Sequence, residues 1–284
     1  MKIRFILFMT ALFCVPSDAF SKKKEATAFS RPKVSRAAPP QLKQELTTYW
    51  TQCTGGNGES CMVLGEAYET GRGLDKNNRY AADLYQRGCE IGLSKGCYRA
   101  GMRHYKGFDG ESSKPKAVAF FEKTCEMEHV SGCTNLAMML MDGDGTEVDP
   151  KRALAVYKDA CERQHGKACV QMGVALEKGV LGEPDPGRAL RVYGTGCDQG
   201  ALEGCYRGGA LALSGKAGSQ DFVAAVGWFE RACSSDHANS CYALGMLYHK
   251  GMGVRNSLEE ARDLYDKSCR LGLKKACIKK QNMY

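Results

Sequence analysis

The sequence predicts an all-α chain, an α/α superhelical solenoid of 36-residue helix-turn-helix units braced by disulfides. Three observations predict it. First, fourteen of the 15 cysteines form the pairs Cys53/Cys61, Cys89/Cys97, Cys125/Cys133, Cys161/Cys169, Cys197/Cys205, Cys233/Cys241 and Cys269/Cys277, spaced 8 within a pair and 36 between pairs. A fixed period of this size marks a stack of one supersecondary unit. Second, Gly71, Gly107, Gly143, Gly179, Gly215 and Gly251 each stand 18 residues after the first cysteine of a pair, written +18 below. Third, position +32 is always aromatic: Tyr85, Phe121, Tyr157, Tyr193, Phe229 and Tyr265.

In chain order, Met1–Arg4 carries two positive charges, Phe5–Pro16 is apolar apart from Thr10, and Ser17-Asp18-Ala19 offers small residues to a peptidase. Residues 1–19 are therefore expected to be a signal peptide cleaved after Ala19, too short to span a bilayer as a helix. The mature chain is expected to be exported, periplasmic or secreted, and monomeric; no later run is long and apolar enough to span a membrane, so it is also expected to be soluble. Residues 20–40 carry net +5 with Pro32, Pro39 and Pro40, and read as a basic disordered leader. The formal net charge of +8 over 284 residues leaves only +2 for residues 41–284. A broad phosphate-binding face, and with it nucleic acid, is excluded as the partner. At 43% hydrophobic and 25% charged, the body is also too apolar to be disordered.

The solenoid is expected over 41–284, with six full repeats from 53 to 268. Position +24 is Asn77, Ser113, Asp149, Asp185, Asp221 or Ser257, all strong N-cap types. Helix B of each unit should start at +25 and run to about the next first cysteine, with Pro150 and Pro186 at the position where a helix tolerates proline best. Helix A is expected from about +8 to the glycine at +18, a residue suited to a left-handed C-terminal stop. Position +12 is Gly65, Gly101, Ala137, Gly173, Gly209 or Gly245, small enough for helix A to approach a neighbour closely. Ala at +28 and the ring at +32 share one face of helix B, with the ring as the main buried mass. Residues 41–52 read as an isolated helix B with Tyr49 in the aromatic column. Residues 269–284 read as a last helix A whose lysines suit a solvated cap. Neither hairpin face can be buried alone, so stacking supplies the core.

The first cysteine of each pair closes helix B and the second opens the next helix A. A bridge across that turn is local, plausible in geometry, and worth roughly 2–3 kcal/mol in the chain-entropy model. Buried reduced thiols are the alternative, opposed by the export signal and by the even count. Zinc knuckles of the C-x₂₋₄-C kind and C-x-x-C-H do not occur, so no metal or cofactor site is expected.

Cys-x₇-Cys, Tyr242-Ala243-Leu244-Gly245-Met246-Leu247-Tyr248, Gly251-Met252-Gly253-Val254 and Glu260-Ala261-Arg262-Asp263-Leu264-Tyr265 together resemble the Sel-one-like repeat (SLR) family, relatives of the tetratricopeptide repeats, and within it the secreted cysteine-rich Hcp-type branch. The resemblance covers about 85% of the chain. It implies a superhelix whose concave face is lined by A helices and which binds protein or peptide partners. It also implies an alternative, β-lactam binding or weak β-lactamase-like hydrolysis.

Ser113-Lys114-Pro115-Lys116 matches the S-x-x-K pattern of such hydrolases, but no S-D-N or K-T-G accompanies it, and Ser113 occupies the N-cap column. No catalytic residue is therefore assigned. His129, His165 and His237 all fall at +4, one per repeat, and read as turn residues rather than ligands. On helix A, positions +10, +13/+14 and +17 are expected to form the exposed inner face. It includes Arg99, Asn135, Gln171 and Arg207 at +10, with Arg103, Met138, Met139, Val174, Leu211 and Leu247 between the columns. Arg99, Arg103, Asn135, Gln171 and Arg207 are the expected partner-binding residues, with amides holding a peptide backbone and cations holding carboxylates. A purely structural envelope component is the third class, and would have no defined partner.

Overall fold

The computed structural model describes residues 34–35, 38–107 and 112–283. The expected signal peptide lies outside the described residues, as does most of the basic leader. Among the described residues there are fourteen helices: α1 (Pro40–Thr54), α2 (Gly58–Thr70), α3 (Asn78–Glu90), α4 (Ser94–Lys106), α5 (Lys114–Glu126), α6 (Val130–Asp142), α7 (Pro150–Glu162), α8 (Gly166–Lys178), α9 (Pro186–Asp198), α10 (Leu202–Ser214), α11 (Phe222–Ser234), α12 (Ala238–Lys250), α13 (Leu258–Arg270) and α14 (Lys274–Gln281). Even-numbered helices are the A helices and odd-numbered ones the B helices. Each helix packs on its neighbours in sequence, and the A helices α8 and α10 also approach each other directly. The chain is an α/α solenoid, and no described helix is long and apolar enough to cross a membrane.

The local signals act as their chemistry requires. The side chains of Asn77, Asp149, Asp185, Asp221 and Ser257 accept the backbone N–H three residues on, at 2.7–3.2 Å. Ser113 departs from its column: it stands at the N-cap of α5, but its side chain makes no capping bond. All six +18 glycines adopt the left-handed conformation and close helix A.

Helix A starts three residues earlier than expected, at +5. The reason is the residue at +3. Gly56, Gly92, Glu128, Gln164, Gly200, Asp236 and Gly272 all have positive φ there, so a single left-handed residue turns the chain and the next helix begins almost at once. The seven bridges therefore join the last turn of helix B to the first turn of helix A. All seven form between the expected partners, with Cα atoms 4.4–4.8 Å apart.

The early start also corrects where the bridges lie. The second cysteine does not open helix A but stands inside it, one turn before +12 on the same face. Cys61, Cys97, Cys133, Cys169, Cys205 and Cys241 are accordingly 0% exposed. These sulfurs belong to the core between repeats and are not staples on the surface of a turn, so solvent and reductant reach them only when helices separate. Cys277, the second cysteine of the last pair, is half-buried.

The core is a line of rings. Tyr85, Phe121, Tyr157, Tyr193, Phe229 and Tyr265 are at most 2% exposed, each lying against the helix A that precedes it in the same repeat. A second device crosses between repeats at +34. Arg87 donates to the Thr54 carbonyl, Arg231 to that of Cys197 and Lys267 to that of Cys233, so a cation caps the negative end of the helix B one unit earlier. Where +34 is Thr195, Gln199 Nε2 donates to the Cys161 carbonyl instead, at 3.0 Å.

The described residues of the expected leader lie against the solenoid. Val34 forms an antiparallel bridge with Leu74, the Ser35 N–H donates to the Gly73 carbonyl at 3.0 Å, and Ala38 is buried. The cause is local: the loop after α2 exposes a carbonyl edge beside the apolar cluster of Leu42, Leu46 and Leu74, and Val34 joins that cluster.

Candidate functional site

The face presented by the A helices is narrower than the sequence suggests. Position +14 is buried in every repeat: Ala67, Arg103, Met139, Ala175, Leu211 and Leu247 are 1–5% exposed. Arg103, Met139, Leu211 and Leu247 were expected on the open stripe and instead sit between helices. Each A helix from α2 to α12 is held on two sides, by the B helix before it and by the B helix after it. The signal for the first contact is position +7, where Ser60, Gly96, Gly132, Ala168, Gly204 and Ser240 are all small and buried. Two helical turns separate +7 from +14, so both face the preceding B helix. A β-carbon on Gly96 would stand 2.7 Å from the Cys89 backbone nitrogen, which shows how close that contact is.

The expected cations are already engaged within the chain. Arg99 pairs with Glu66 at 3.0 Å and lies 3.8 Å from Glu69, while Arg103 holds Glu69 at 2.8 Å. Tyr85 Oη donates to the other oxygen of Glu69 at 2.6 Å. Burial acts to raise the Glu69 carboxyl, but the hydrogen bonds from Tyr85 and Arg103 and the charge of the two arginines hold it below the usual carboxylate range. Burial and that same bond push the Tyr85 phenol upward. The arrangement recurs three repeats later. Tyr193 Oη donates to Glu177 at 2.8 Å, and Arg207 faces Tyr193 while donating to Glu203 at 2.7 Å. Of the two amides, Asn135 donates to the Met102 sulfur at 3.3 Å, while Gln171 is exposed.

One open stretch of the A-helix face lies between α8 and α10. A cleft of about 520 Å³ is lined by Val174, Glu177, Lys178, Pro184, Pro186, Arg207 and Lys216. Three cations face one carboxylate there, and that carboxylate already accepts the Tyr193 hydroxyl. Lys178 and Lys216 form no ion pair among the described residues. Two prolines stiffen the rim and Val174 supplies an apolar floor. Chemically the cleft can hold a carboxylate together with a short apolar side chain.

The residues considered for catalysis or metal binding are not gathered into one site among the described residues. Ser113 and Lys116 share no hydrogen bond among the described residues, and Lys114 pairs with Asp144 at 2.9 Å while lying 3.5 Å over the Tyr105 ring. No cluster of His, Cys, Asp and Glu suited to a metal occurs among the described residues. His129, His165 and His237 stand at the N-caps of α6, α8 and α12. His129 stacks on Tyr98 at 5.0 Å, His165 contacts the Thr134 hydroxyl at 3.1 Å, and His237 contacts the Ser240 hydroxyl at 2.8 Å.

Burial lowers His129 and His165 below the ordinary histidine value of 6.5. The fold favours their neutral forms. Their contribution to stability is thus complete above about pH 6.5 and is lost as pH falls through the lower folded values. Thermal melts are expected to show a fall in melting temperature from pH 7 to pH 5 that shrinks in His129→Gln/His165→Gln. An equal fall in that variant would place the acid sensitivity elsewhere.

The Sel1 repeat family model matches residues 58–93, 94–129, 130–165, 166–200, 202–237 and 238–273, in each case one A helix and the B helix after it. Among solved structures, the chain is similar to a protective antigen present in uropathogenic Escherichia coli strains that displays an SLR fold. Identity is 22% and the TM-score 0.74, over 83% of this chain and 50% of that one, so this chain spans about half the antigen's length. A Sel1 repeat protein from Oxalobacter formigenes is similar at 22% identity and TM-score 0.67, over 76% of this chain and 88% of that one. Helicobacter pylori cysteine rich protein B aligns at 24% identity and TM-score 0.37, over 46% of this chain and 93% of that one. At 22% identity the first two likenesses show the fold alone. No curated protein matches the chain.

Proposed function

The chain belongs to the Sel1 repeat family, and from that premise we propose that it is an exported, disulfide-braced scaffold that acts by binding an extended peptide along its A-helix face and catalyses no reaction. Seven bridges in one chain fit an oxidising compartment. The observation that carries the reading is the cleft between α8 and α10, where Lys178 and Lys216 lie beside Arg207 with no acid of their own. An acidic side chain or a terminal carboxylate of the peptide anchors there, and Gln171, exposed on the same face, serves its backbone. Arg99 and Arg103 hold the fold in this reading rather than the partner, because Glu66 and Glu69 already neutralise them.

The test uses a fluorescein-labelled, glutamate-rich peptide with a free carboxyl terminus. Anisotropy titration is expected to show saturable binding that Lys178→Glu/Lys216→Glu weakens at least tenfold, about 1.4 kcal/mol or more, with melting temperature unchanged. Arg99→Glu is expected to lower melting temperature and spare affinity. A double variant that binds as wild type removes the cleft from the function. A nitrocefin assay bears on the hydrolase alternative: turnover abolished by Ser113→Ala in a folded protein would replace the binding reading.

A further inference from the structure

The charge of the folded body is unevenly placed. Residues 267–284 contain Lys267, Arg270, Lys274, Lys275, Lys279 and Lys280 and no acid, whereas residues 41–266 sum to −4. Three of these cations are used internally. Lys267 pairs with Asp236 at 2.9 Å, and Arg270 and Lys280 share Asp266. Lys274, Lys275 and Lys279 have no acidic partner among the described residues, and Lys275 Nζ lies 4.6 Å over the Tyr242 ring.

The same end of the solenoid exposes apolar surface. In three of the other A helices position +9 packs on the following B helix: Tyr98 on Phe121 at 6.1 Å, Tyr206 on Phe229 at 6.0 Å and Tyr242 on Tyr265 at 5.5 Å. The +9 residue of α14 is Ile278, and it is 58% exposed. It follows Lys274 by four residues and Lys275 by three, so all three share one helix face. Leu271, 38% exposed, follows α13 and opens the turn before them.

We propose that this end of the solenoid docks on an anionic membrane surface. The lysines meet lipid phosphates, and Ile278 and Leu271 enter the interface between them. The apolar pair decides between possible anions. A soluble polyanion would satisfy the lysines and leave Ile278 and Leu271 in water, whereas a bilayer interface takes both. The proposal is separate from the peptide cleft, since none of its residues lies there.

The test is co-sedimentation of the oxidised mature chain with vesicles of phosphatidylcholine, with and without phosphatidylglycerol. Partition is expected to be strongly in favour of the anionic vesicles and to fall as salt rises. At the usual worth of a cation near an anionic surface, Lys274→Gln/Lys275→Gln/Lys279→Gln loses on the order of a hundredfold. Ile278→Ser loses about fivefold. The charge-preserving Lys274→Arg/Lys275→Arg/Lys279→Arg binds as wild type, which guards against a mere folding defect in the glutamine variant. Lys178→Glu/Lys216→Glu, which acts on the peptide cleft, leaves vesicle binding intact. Equal partition to both vesicles, or wild-type binding by the glutamine variant, overturns the proposal. So does an Ile278→Ser variant that matches wild type on vesicles while inorganic polyphosphate displaces both, an outcome that would make the ligand a soluble anion.

Discussion

Reduction of the seven disulfides is expected to lower the melting temperature of the mature chain by about 25 °C. Each bridge closes a loop of sequence separation 8, worth about 2.5 kcal/mol in the chain-entropy model. Seven such terms exceed the whole stability of an ordinary domain, about 5–15 kcal/mol. They do not add fully, because neighbouring bridges restrain turns that already hold residual structure in the unfolded chain. Half the nominal sum still gives the stated shift, at about 2–4 °C per kcal/mol for a chain of this size. A bridge at mid-solenoid should matter most: Cys161–Cys169 ties α7 to α8 with repeats on both sides, whereas Cys269–Cys277 holds only the terminal α14. Reduction has to be carried out in denaturant before refolding, since Cys61, Cys97, Cys133, Cys169, Cys205 and Cys241 are fully buried in the folded chain. Calorimetry of the reduced and oxidised chains checks the size of the shift, and titration of unreduced, denatured mature chain should find almost no free thiol. A shift of only a few degrees, or about fourteen titratable thiols, would remove the bridges as the source of stability and the oxidising compartment with them.

The bridges were legible because their period is rigid. No insertion interrupts the spacing of 36, so the columns at +18, +24 and +32 align without adjustment, and each has one dominant chemical reason. The exact turn was less legible. Glu128, Gln164 and Asp236 take the left-handed conformation at +3, a position where glycine would have marked the turn, and their side chains disguise it. That missed turn is also why the second cysteines read as the openings of A helices rather than as core residues one turn inside them. The inner face was least legible. A helix flanked on two sides by B helices buries a wide arc, and the period of 3.6 residues does not say which of two apolar columns is covered. The small +7 column was the available signal, since only a close helix crossing requires Ser60, Gly96, Gly132, Ala168, Gly204 and Ser240 together. Charge misled in the same place. Arg99 and Arg207 stand out as cations, but Glu66 and Glu203 reach them only in the folded chain, the first from the preceding repeat and the second from one turn earlier on α10.

Substitution of Gly173 by leucine is expected to cost about 4 kcal/mol, enough to unseat α9 from α8. The +12 glycines face the rings of the core, and the room at each differs. A β-carbon would lie 2.4 Å from the Tyr85 ring at Gly65, 2.5 Å from Tyr193 at Gly173, 2.7 Å from Phe229 at Gly209, 2.8 Å from Phe121 at Gly101 and 2.9 Å from Tyr265 at Gly245. The two tightest rings are those whose hydroxyls are tied to Glu69 and Glu177. A tethered ring cannot slide away from an added methyl, whereas a phenylalanine ring can. The chain has made the comparison once: repeat 3 carries Ala137 against Tyr157, and its +16 residue is Met141, which offers no carboxylate. The alanine series should therefore follow the tethers. Gly173→Ala loses about 2 kcal/mol net, after the roughly 1 kcal/mol that alanine contributes to helix formation. Gly245→Ala is close to neutral. Removing the tether in Gly173→Ala/Tyr193→Phe recovers about 1 kcal/mol relative to the two single changes taken together. Urea unfolding of the wild type, the three single variants and the double variant measures each value. If Gly245→Ala proved the more damaging alanine, or the double variant recovered nothing, the rings would be adjusting freely and the Tyr–Glu bonds would have no part in setting how closely A and B helices pack.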